Sequence, residues 1–127
     1  MTPWLTEADI EEAALGCFRE LGYEYVHGSV IAPDGEHPER ESFAEVLLLG
    51  RLERALEKLN PELPQDALAE AMRRLRTLEA PGLVANNEAL HELLVNGVAV
   101  ELAGRQGEMT SARVKVLDFA HPTANEF

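Results

Sequence analysis

Cysteine is almost missing from this sequence: Cys17 is the only one. A single thiol closes no internal disulfide and builds no thiolate zinc cage. Aromatic residues are scarce, at 6%, so any core should be mostly Leu, Val and Ala. Basic side chains are outnumbered, 11 Lys and Arg against 23 Asp and Glu, for a formal net charge of -12. Such a charge favours solubility and repels polyanions at long range. It argues against a free-standing DNA-binding module, though not against a domain held on DNA by a partner or a neighbouring domain. No basic region followed by an apolar run opens the chain, so no signal peptide is read. No apolar stretch nears the ~20 residues that cross a bilayer. A cytoplasmic protein without membrane contact is the expectation. Three chemical signatures are absent as well: the Gly-x-x-x-x-Gly-Lys phosphate loop, the Gly-x-Ser-x-Gly elbow and any Glu-x-Lys tripeptide.

What is present suffices for a folded domain. The 127 residues fit one domain, and 46% of them are hydrophobic. A chain of this size buries about two-thirds of its unfolded surface. Thr6 and Asp9 form a capping-box-like pair that opens a first helix. Ile10, Ala13, Ala14, Cys17, Phe18 and Leu21 share one face of it, and Gly22 stops it. Tyr23 to Val26 reads as extended, and a polar loop runs from His27 to Glu41 with an Asp34-Gly35 turn. Ser42 and Glu45 predict the start of a second helix carrying Val46, Leu49, Leu52, Ala55, Leu56 and Leu59, ended by Asn60-Pro61. Pro64 suits the first turn of a third helix, with Leu68, Ala71, Met72 and Leu75 inward. Asn86 or Asn87 is expected to cap a short fourth helix through Leu94. Val98, Val100 and Leu102, then Val114 and Val116, alternate as strands around a Gly104–Gly107 turn. The expected layout is one domain or domain fragment: a helical lead-in over 6–95, a β-hairpin over 97–119 and an extended tail over 120–127.

Few residues carry a chemical signal. Cys17, on the apolar stripe, is expected to be a buried, inert thiol. His27, His37, His91 and His121 lie far apart and show no zinc-ligand spacing. Arg51, Arg54 and Lys58 share a helical face, and Arg73, Arg74 and Arg76 cluster on the third helix. Glu53, Glu57, Glu70 and Glu79 are interleaved with them, which predicts solvated faces with local ion pairs. Glu7 and Glu11, one turn apart, could approach a hard cation such as magnesium. Acidic residues in a first turn are also what the helix dipole favours.

Several stretches occur together in order. They are Thr6-Glu7-Ala8-Asp9-Ile10-Glu11-Glu12, Leu21-Gly22-Tyr23-Glu24-Tyr25, Ile31-Ala32-Pro33-Asp34-Gly35-Glu36, Pro38-Glu39-Arg40 and Leu59-Asn60-Pro61. His91-Glu92-Leu93-Leu94-Val95-Asn96-Gly97-Val98 and Val116-Leu117-Asp118-Phe119 follow. Over nearly the whole chain this resembles the N-terminal part of the restriction (R) subunit of type I restriction-modification enzymes. The resemblance implies an α+β fold: about four helices followed by an antiparallel β-hairpin, the front part of a PD-(D/E)xK-type restriction endonuclease-like domain. It implies a large parent enzyme, a type I site-specific deoxyribonuclease that uses Mg2+ and ATP. Its implied partners are DNA and the methyltransferase and specificity subunits. The Pro-Asp and Glu-x-Lys strands of that family do not occur in these residues, so no catalytic residue is assigned and Asp118 is not promoted to one. Glu7 and Glu11 are the metal-proximal candidates, by analogy with an opening-helix glutamate in related nucleases. The chain is then expected to be the front of a larger domain, inactive alone and binding no cofactor. A second class fits the acidity: a small interaction module that presents its negative surface to a basic protein partner.

Overall fold

A computed structural model describes residues 4–126. Its architecture is α+β, with five helices and one two-stranded antiparallel sheet. The chain divides into two compact units, Met1–Glu45 and Val46–Phe127.

The first unit holds α1 (Glu7–Glu20) and α2 (Gly28–Ile31). Thr6 starts α1 as predicted. Its hydroxyl accepts the Asp9 N–H at 3.2 Å, and the Asp9 carboxylate accepts the Thr6 N–H at 2.9 Å. Asp therefore completes the capping box despite being shorter than Glu. The helix stops in a Schellman arrangement: Tyr23 N–H donates to Phe18 O and Gly22 N–H to Arg19 O, both at 3.0 Å. The Phe18 and Tyr23 rings meet edge to face at 5.6 Å, the apolar contact that accompanies such a cap. Tyr23 to Val26 pairs with no strand among the described residues. The polar loop contains α2, capped by His27, which brings the helix count to five.

Two expectations fail in this unit. No residue of α1 is buried; Ile10 and Phe18 are 61% and 52% exposed. Cys17, expected to be buried, is exposed. Periodicity makes a face, but a face is buried only where another element covers it. Ser42 and Glu45 do form a local box, but they open no helix. Ser42 Oγ accepts Ala44 N–H, only two residues on, and Glu45 accepts Glu41 N–H. These bonds close a single turn that is not propagated.

The second unit begins its helices later. It contains α3 (Leu49–Leu59), α4 (Gln65–Arg76), α5 (Leu83–Asn96), β1 (Val98–Ala103), β2 (Met109–Val114) and one 3-10 turn (Pro122–Ala124). The core is Leu56 of α3, Ala67, Leu68, Ala71 and Leu75 of α4, and Val98, Val100 and Val114 of the hairpin. Spacings of three and four on the helices and of two on the strands place these side chains together. The helix predicted to start at Asn86 or Asn87 starts at Leu83, with Gly82 as its N-cap. Asn86 instead accepts the Ala80 N–H at 2.9 Å, tying down the preceding loop. Both strands appear, but β2 ends at Val114; Val116 packs on the core from outside the sheet. The predicted extended tail contains the 3-10 turn, because Asp118 and Asn125 close the chain on itself.

Candidate functional site

The candidate acidic residues lie on the first turns of α1. Glu7 and Glu11 are both exposed. Asp9, between them, is engaged in the cap, and the Thr6 hydroxyl followed by the Thr6 N–H holds its carboxyl below the usual range. Among the described residues no group of three or more His, Cys, Asp or Glu side chains is arranged to hold a metal. Two exposed carboxylates leave most of a magnesium shell to water. These residues alone do not constitute a hard-cation site.

His27 and Ser29 form a pair that could be mistaken for a catalytic one. His27 Nδ1 lies 2.7 Å from Ser29 Oγ. The same Nδ1 accepts the Ser29 backbone N–H at 3.2 Å. Both residues are exposed, and the arrangement is that of a helix cap.

In the second unit the basic cluster converges on the hairpin. Arg73 grips Glu70 through two bonds, Nε to Oε2 at 2.9 Å and Nη2 to Oε1 at 2.6 Å. That contact holds the Glu70 carboxyl down and raises Arg73. Arg74 Nη1 donates to the backbone carbonyl of Ala99 on β1. A shallow cleft follows, lined by Glu70, Arg73, Arg74, Glu101, Met109 and Ser111 among others. The predicted local ion pairing is present for Arg73, while Arg74 acts on the sheet, a role not read from the sequence.

Asn60, at the end of α3, is a buried polar residue, 2% exposed. Its Oδ1 accepts Lys115 N–H at 2.7 Å; its Nδ2 donates to Lys115 O at 2.8 Å and to Leu56 O at 2.9 Å. The side-chain amide thus pairs with residue 115 as a neighbouring strand would. The sequence marks Asn60 only as a helix stop.

Asp118 organises the segment after the hairpin. Its carboxylate accepts the Ala120 and His121 N–H groups, each at 3.0 Å. Lys115 Nζ and His121 Nδ1 stand 3.5 and 3.4 Å away. The His121 backbone bond does most to hold the Asp118 carboxyl below the usual range; burial opposes it and Lys115 assists. Asn125 closes the loop, accepting Asp118 N–H at 2.7 Å and donating to Asp118 O at 2.9 Å. The signal was available as Asp118, Pro122 and Asn125, turn formers at short spacing. The Asp118 contacts are those that anchor a turn. His91 is exposed on α5.

Comparison with known proteins bears on the whole chain. Residues 5–127 match the family model described as type I restriction enzyme R protein N terminus. The putative type I restriction enzyme MjaIXP endonuclease subunit of Methanocaldococcus jannaschii is 32% identical over 118 residues, 93% of this chain and 11% of that protein. The type I restriction enzyme HindI endonuclease subunit of Haemophilus influenzae is 32% identical over 123 residues, 97% of this chain and 12% of that protein. The chain therefore spans about a ninth to an eighth of these curated relatives. No solved structure matches it significantly.

Proposed function

This chain belongs to the type I restriction enzyme R protein N-terminus family, and from that premise we propose that it serves as the N-terminal part of a DNA-cutting endonuclease subunit. The observation that carries the reading is the family match over residues 5–127, with two relatives named as endonuclease subunits aligned over nearly the whole chain. In this reading the α+β architecture is the helical lead-in and first strand pair of a PD-(D/E)xK-type nuclease domain. The parent acts in the cytoplasm as a type I site-specific deoxyribonuclease with Mg2+ and ATP, beside methyltransferase and specificity subunits. Glu7 or Glu11 lies near the metal of the completed domain. The described residues do not make that metal site themselves, so no chemical step is assigned to them. No described helix is long and apolar enough to cross a membrane.

The test is magnesium-dependent plasmid cleavage. The 127-residue chain is compared with the complete subunit, assayed with ATP and its partner subunits. Cutting by the complete assembly alone is expected. Failure of both would favour the acidic interaction module, and cutting by the short chain would mean that a metal site exists within it.

A further inference from the structure

The side-chain cap of α2 rests on a single nitrogen. His27 Nδ1 accepts the Ser29 N–H at 3.2 Å and lies 2.7 Å from Ser29 Oγ. A ring nitrogen that accepts carries no proton, so the capping form is the neutral imidazole protonated at Nε2. Ser, Thr, Asn and Asp, the usual caps, keep their acceptor through the physiological pH range, whereas imidazole does not. The ring is exposed, so it exchanges protons with solvent. Around it stand Ser29, the Tyr25 ring edge on at 6.4 Å, and Arg19 of α1, which lies over Tyr25 at 5.1 Å. No described carboxylate forms an ion pair with His27.

Protonation at Nδ1 reverses the pair. The new ring N–H can donate to Ser29 Oγ, so the two side chains stay together. The Ser29 N–H, however, then faces a donor instead of an acceptor, and the cap is lost.

The rest of the segment is wound on this short helix. Val30 N–H donates to His27 O at 2.9 Å. The returning chain then donates from His37 N–H to Val30 O at 2.8 Å and from Glu39 N–H to Ile31 O at 2.9 Å. Between them Gly35 lies so close to α2 that a Cβ would stand 2.3 Å from Ser29 O and 2.4 Å from Val30 O. The acceptors for the returning chain are therefore carbonyls of α2 itself. One turn of helix has little cooperativity of its own, so its cap weighs heavily on where those carbonyls point.

We propose that His27 is a pH-operated latch on residues 27–41: the neutral ring closes α2, and the protonated ring opens it and releases the chain that returns along it over Gly35–Glu39. The inference uses only contacts within the first unit and stands apart from the nuclease reading.

Residue-resolved amide exchange on the complete subunit, corrected for the intrinsic effect of pH on exchange, tests it between about pH 8 and about pH 5.5, the span in which imidazole titrates. Protection of the Ser29 amide should fall roughly fivefold toward acid, the loss of one helix cap. The His37 and Glu39 amides should lose protection with it. His27→Asn supplies an amide oxygen that caps without titrating, and its protection should stay level. His27→Ala should be unprotected at both ends of the range. His37→Gln removes the other imidazole of the segment and should respond as the parent does. Level protection in the parent would overturn the latch. A fall in His27→Asn as large as in the parent would also overturn it, by assigning the titration to another group. Loss at Ser29 with His37 and Glu39 unchanged would overturn the release of the returning chain.

Discussion

Asn60 shows how one side chain can hold two elements. Its amide satisfies Leu56 O at the end of α3 and both backbone groups of Lys115 after β2. Asn60→Ala leaves the part-buried N–H and C=O of Lys115 without their partner, while Leu56 O keeps the Asn60 N–H; the loss costs about 1–3 kcal/mol. The melting temperature should fall by several degrees in a thermal scan. Asn60→Asp keeps the acceptor for Lys115 N–H but turns an oxygen toward two carbonyls, and it should be at least as harmful as Ala. Asp118 carries a pH signature. Its carboxyl is held below the usual range, foremost by the His121 N–H. Its contribution is complete above the unfolded value of about 3.9 and is lost as pH falls through the lower folded value. Asp118→Asn keeps an oxygen for the Ala120 and His121 amides and loses the charge. Its thermal stability should therefore be less sensitive to acid below about pH 4 than that of the parent chain. The Asp118 turn carries a local signal in its spacing, whereas the Asn60 role could not be read from spacing. Asn60 and Lys115 are 55 residues apart, and no local pattern announces such a bond.

Among the elements, those ruled by local chemistry were legible and those ruled by covering layers were not. Thr6, Asp9 and Gly22 act within six residues of where they bond, and α1 begins and ends as its sequence indicates. Cys17 on its apolar face was read as buried, yet burial needs a second surface that a one-element pattern does not contain. The Ser42 box misled for a related reason: the bonds formed, but helix propagation after them did not. Because α1 buries nothing, its cap should matter more than caps usually do. Thr6→Ala should cost about 1 kcal/mol of helix stability, visible as faster amide exchange over the first turn of α1. The hairpin offers a paired comparison. Gly107 and Gly97 have φ of 83° and 76°. A Cβ on Gly107 meets open space, whereas one on Gly97 would lie 2.7 Å from Val114 O. Gly107→Ala should cost about 1 kcal/mol and Gly97→Ala about 2–3 kcal/mol, measured by denaturant unfolding.

At the scale of the whole molecule, charge and chain length set the expectations. With a net charge of -12, the isolated chain should not retard a DNA duplex in a gel even at low salt, where phosphate contacts are strongest. Retardation there would show a local basic surface overriding the global field. The family was legible from word order along the sequence, since residues 5–127 match its model. The division into two compact units was not, because no proline- or glycine-rich linker marks the boundary at Glu45 and Val46. Synthesis on the ribosome gives the Asn60–Lys115 bond a further meaning. At about 5–20 residues per second, the 55 residues between the partners take roughly 3–11 s to translate. During that delay α3 is already made and α4 and α5 follow it, while the Asn60 amide waits for Lys115. Closing it is then a late step in biogenesis: it cannot form until both strands of the hairpin have been made.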